Sequence, residues 1–99
     1  MPPTIKKFEF GHLVAGMRAQ ATCLVQTGDS PMAISWLRDN QTLTTSHDLT
    51  IHLMDPFTSI LILPKVLSKH TANYTCVARN GVRKESFTAQ LVVRGTVFI

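Results

Sequence analysis

Short runs rich in Val, Ile, Thr and Phe recur between clusters of Gly, Pro, Asn, Asp and Ser, and inside the runs apolar and polar positions alternate. Alternation with period two puts successive side chains on opposite faces, the mark of a strand with one side buried. The runs predict strands over residues 4–10, ended by Gly11, and over 17–26, ended by the turn-forming stretch Thr27-Gly28-Asp29-Ser30-Pro31. Residues 32–37 make a third, closed by the polar turn Arg38-Asp39-Asn40-Gln41. Residues 49–54 and 58–63 pair as a hairpin around Asp55-Pro56. Residues 73–79 and 82–93 pair around Asn80-Gly81, a dipeptide that favours tight reversal because both residues tolerate positive φ. No helical period interrupts the series and no segment repeats, so the expectation is an all-β antiparallel sandwich or barrel.

The same period assigns faces. In the second strand Ala19, Ala21, Cys23 and Val25 share one side, which leaves Arg18, Gln20, Thr22, Leu24 and Gln26 on the other. In the fifth, Leu61 and Leu63 take the inner side and Ile60 and Ile62 the outer, so this strand is apolar on both. Continued onto its neighbour, the outer face holds Arg18, Gln20, Thr22, Leu24, Thr50, His52, Met54, Thr58, Ile60 and Ile62, with Arg18 its one formal charge. Interface centres are depleted of charge and enriched in apolar and methionine side chains, which makes this face the candidate contact surface. The competing explanations are ordinary scattered surface hydrophobicity and a register one residue out, which would exchange the two faces.

Ninety-nine residues suffice for one small domain. The expected organisation is a single domain over 1–94, with 95–99 a linker or the start of another module. Apolar residues form 44% of the chain and charged ones 16%, far from the composition of a disordered segment. A mean hydropathy of +0.12 leaves some apolar side chains for the surface. The net charge of +4 comes from scattered groups, Lys6-Lys7, Arg38, Arg79 and Arg83-Lys84, without an RNA-binding signature or zinc spacing, which speaks against nucleic acid. No run reaches the roughly 18 apolar residues that cross a bilayer, so direct membrane insertion is not expected of this segment. His12, His47, His52 and His70 are dispersed, and no nucleophile, base and orienting group or metal-ligand spacing converges. The expectation is no catalysis, no metal and no cofactor.

Trp36 lies between Cys23 and Cys76, and Tyr74 stands two positions before the second cysteine. A tryptophan packed on an inter-sheet disulfide, with a tyrosine hydroxyl bonding back to the corner before its own strand, is the core signature of immunoglobulin domains. The chain therefore resembles an immunoglobulin-like β-sandwich of the intermediate set: two antiparallel sheets, one Cys23–Cys76 disulfide, and Trp36, Tyr74, Leu61 and Leu63 in the core. In an intracellular domain of this kind the two cysteines would instead stay reduced as small buried apolar groups. Two sequons, Asn40-Gln41-Thr42 and Asn73-Tyr74-Thr75, make Asn40 and Asn73 candidate glycosylation sites; the second is also what the Tyr-x-Cys corner happens to spell.

Four segments narrow the resemblance: Pro2-Pro3-Thr4-Ile5 with Phe8-x-Phe10-Gly11; Gly28-Asp29-Ser30-Pro31 with Ile34-Ser35-Trp36-Leu37; His70 with Asn73-Tyr74-Thr75-Cys76-Val77-Ala78-Arg79-Asn80; and Thr88-Ala89-Gln90-Leu91. Together they are similar to the variable immunoglobulin domains of arthropod Down syndrome cell adhesion molecules (Dscam), in particular the seventh domain of insect Dscam and the first of the shortened chelicerate forms. His70 replaces the aspartate usual in intermediate-set domains and is familiar in Dscam; its plain role would be to satisfy the backbone of that corner.

The resemblance implies a disulfide-bonded, glycosylated recognition domain in the extracellular part of a single-pass cell-surface membrane protein, flanked by further immunoglobulin domains and serving neural or immune recognition. It implies homophilic, isoform-specific cell-cell adhesion by antiparallel pairing with an identical domain on an opposing cell, through the A-B-E-D face in the family's strand lettering. A rival reading is heterophilic binding of a ligand, pathogen or glycosaminoglycan by Arg38, Arg79, Arg83 and Lys84. A third is a passive spacer.

Overall fold

The computed structural model describes residues 2–95, so residues 96–99 of the expected linker lie outside the described residues. The strands are β1 (Thr4–Ile5), β2 (Leu13–Val14), β3 (Ala19–Thr27), β4 (Ala33–Arg38), β5 (Gln41–Leu43), β6 (Thr50–Asp55), β7 (Thr58–Leu63), β8 (Ala72–Arg79), β9 (Lys84–Leu91) and β10 (Val93–Arg94). One sheet has the order β1-β3-β7-β6, the other β5-β4-β8-β9, and β2 pairs in parallel with β10.

Side-chain alternation carries this arrangement. Ala19, Ala21, Cys23 and Val25 of β3 are buried while Gln20 and Thr22 are exposed. Cys23 and Cys76 bridge the sheets with their Cα atoms 6.3 Å apart, and Trp36, 1% exposed, sits among Leu61, Leu63, Tyr74 and Leu91 in the same core. The Trp36 indole N–H donates to the Ser59 hydroxyl at 2.9 Å, which explains a buried serine in an otherwise apolar inner row. Tyr74 donates its hydroxyl to the His70 carbonyl at 2.7 Å, the corner bond expected from its position. Burial pushes the Tyr74 phenol above its ordinary pKa, so it stays protonated and donating.

Several elements differ from the sequence expectation. The first strand is not continuous over 4–10. After Lys6 the chain leaves the first sheet, Phe8 packs edge-on against Trp36 and Phe87, Phe10 meets Tyr74, and Gly11 at φ 80° lets it turn toward β2. The Phe8/Phe10 alternation is satisfied between the sheets rather than within one. The last run is likewise broken at Val92, between β9 and β10.

The polar turn after Trp36 belongs to a further hairpin. Arg38 pairs with Gln41, and Asp39 and Asn40 occupy the two-residue loop with φ of 47° and 68°. Asn80-Gly81, by contrast, lies in a wider loop, since Arg79 pairs with Lys84 and the Asn80 side-chain oxygen accepts from the Val82 and Arg83 N–H groups. One 3₁₀ turn, Ser68–His70, precedes β8; it is too short to leave a periodic trace in sequence.

Candidate recognition face

The outer side of β3, β7 and β6 is organised in cross-strand rows. Gln20 faces Ile62, which faces Thr50; Thr22 faces Ile60, which faces His52. The register thus places these residues on the side expected, with Ile60 and Ile62 half-buried among exposed polar neighbours. Leu24 and Thr58 form the third row, and here the expectation needs correction. The β6 ladder shifts between Leu53 and Asp55, so Asp55, not Met54, pairs with Thr58. Met54 stands in the bulge, 63% exposed, and a carboxylate enters the face that sequence alternation left with Arg18 as its one charge. Arg18 lies just before β3, and Lys6, bonded through its N–H to the Leu24 carbonyl, stands exposed at the β1 margin. Sequence reasoning missed Asp55 and Lys6 because a bulge and a strand crossing leave no alternation to read.

The other sheet's outer side is as poor in charge but different in chemistry. Ser35, Val77 and Ser86 form one row and Leu37, Thr75 and Thr88 the next, with the Thr75 and Thr88 hydroxyls 2.7 Å apart. Charge appears at the end of the β8-β9 hairpin, where Arg79 faces Lys84. Arg38 is not brought together with them. It sits at the far end of β4, where its guanidinium donates to the Lys69 carbonyl.

His70 is buried at the corner before β8. Its Nδ1 accepts the Leu67 N–H at 2.8 Å, which is the backbone role expected of it, and its Nε2 therefore carries the proton and meets Asp48 Oδ2 at 3.1 Å. Asp48 also accepts from the Ser46 hydroxyl at 2.7 Å and lies 3.4 Å from Lys69 Nζ. The Ser46 bond, then those of His70 and Lys69, hold its carboxyl well below the usual range. Asn40 and Asn73 both lie exposed, Asn40 at the tip of the β4-β5 loop. Among the described residues no group of His, Cys, Asp and Glu could hold a metal ion.

The sandwich, its disulfide and its tyrosine corner define an immunoglobulin domain, and the sequence model of that family, described as "Immunoglobulin domain", matches residues 2–80; the chain belongs to this family. Within it the chain is a Dscam-type domain and not an enzyme. It is 35% identical over 95 residues to the cell adhesion molecule Dscam2 of Drosophila melanogaster and 38% identical over 94 residues to the cell adhesion molecule DSCAM of Homo sapiens, in each case over 95% of this chain. It spans only 5% of the length of either relative. The crystal structure of Dscam1 Ig7 domain, isoform 5, superposes with a TM-score of 0.89 at 31% identity, over 94% of this chain and 97% of that one.

Proposed function

We propose that this chain is a recognition domain in the extracellular part of a single-pass cell-surface protein, and that it mediates homophilic, isoform-specific cell-cell adhesion by antiparallel pairing of its β1-β3-β7-β6 face with an identical domain on an opposing cell. One observation carries this reading: Ile60 and Ile62 form an apolar strip at the centre of a sheet face whose flanking positions are neutral and whose charges lie at its ends. A two-fold interface presents each patch to itself, so it gains from an apolar centre and loses from like charge near the axis. Weak pairing suffices between membranes, where many copies act together.

The test is aggregation of cells displaying the domain. Ile60→Asp with Ile62→Asp is expected to abolish it, and Arg83→Glu, in the β8-β9 loop of the other sheet, to leave it intact. Aggregation that survives the first change and fails with the second overturns the assignment.

A further inference from the structure

We propose that the end of the β8-β9 hairpin is a binding site for sulfated polysaccharide, independent of the homophilic face. Arg79 and Lys84 are register partners on the outer side of the sheet, and Arg83 adjoins Lys84 in the loop; all three are exposed. Like charges directly opposite across a ladder destabilise it, so this chain carries here an arrangement that the fold itself disfavours. Among the described residues no carboxylate lies within ion-pair distance of the three. Glu85 follows in β9 but alternates to the inner side, opposite Ala78, and Asp29 meets the loop through its main-chain oxygen, which accepts from the Asn80 side chain at 3.4 Å. What would compensate the repulsion is an external polyanion.

The surface leading away from these cations suits a sugar chain better than a lipid or an acidic protein. Ser35, Ser86 and Thr88 provide hydroxyls along a sheet side that bears no carboxylate, and the single apolar side chain at the loop tip, Val82, offers little to insert into a bilayer. Sulfates would engage the arginines and Lys84, while ring hydroxyls would meet the serine and threonine rows.

The experiment measures binding of the chain to immobilised heparin and to chemically desulfated heparin. Binding is expected to heparin alone, and to fall steeply as NaCl rises from about 0.15 M to about 0.5 M. Arg79→Ala with Arg83→Ala and Lys84→Ala should weaken it by about tenfold or more. Lys6→Ala with Lys7→Ala and Lys65→Ala removes the same charge elsewhere and should leave it within about twofold. Lys84→Glu should lose heparin binding while raising the melting temperature, because it converts a repulsive ladder pair into an attractive one. Ile60→Asp with Ile62→Asp should leave heparin binding unchanged, which separates this site from the adhesive face. Equal loss in both triple variants, equal binding to desulfated heparin, or capture by phosphatidylserine vesicles without capture by heparin would each overturn the proposal.

Discussion

Ser59 and Asp48 are polar residues whose value lies in the partners they satisfy, one for Ser59 and three for Asp48. Ser59 satisfies the indole N–H of Trp36 in the core. Ser59→Ala keeps the packing but strands that donor, and is expected to lower stability by about 1–3 kcal/mol in urea denaturation. Asp48 caps a chain of contacts through His70 to the Leu67 backbone. Its folded carboxyl titrates below the unfolded one, so the stability it contributes is present at neutral pH and is lost as pH falls through and below the ordinary carboxylate range. Denaturation at neutral pH and in acid is expected to give Asp48→Asn a flatter acid dependence than the parent chain; identical dependences would rule the contribution out. His70 was legible in sequence as a substitute for the usual carboxylate. Asp48 was not, because 22 positions separate the partners and only the folded corner joins them.

Among the elements, the β4-β5 hairpin and the β6 bulge exercise the most control over the surface. Asp39 and Asn40 hold left-handed backbone, and Asp39 is clamped to Asn73 by its N–H at 2.9 Å and its carboxylate at 3.0 Å. Asn40→Gly should match or exceed the parent melting temperature. Asn40→Val should cost about 1–2 kcal/mol, since a β-branched side chain resists positive φ. The strands themselves were readable wherever one face is buried, as β7 is along its whole length and β3 is from Ala19 to Val25. Sequence reading failed where alternation is satisfied by something other than a flat ladder: at Phe8 and Phe10, which fill the space between sheets, and at Met54, which stands in the bulge. The consequence at β6 reaches the candidate site, because one extra residue exchanges a methionine for a carboxylate in the third row.

At the scale of the molecule, two outer faces of equal charge poverty differ in arrangement: adjacent Ile60 and Ile62 between polar margins on one, and Leu37 and Val77 set among hydroxyls, in rows that end in cations, on the other. Charge alone therefore does not choose between them. One bridge spans 53 positions and holds the sheets together. Closing a loop of that length contributes on the order of 4 kcal/mol in the chain-entropy picture. Reduction is expected to lower the denaturation midpoint strongly and to release amide protection in β3 and β8 together.

The parallel pairing of β2 with β10 bears on what the domain does under load. A pull that draws the amino-terminal end of β2 and the carboxy-terminal end of β10 apart runs along two parallel strands in opposite directions. The bonds of that two-residue pairing then resist in shear, together rather than one after another, and single-molecule extension should find the first rupture there.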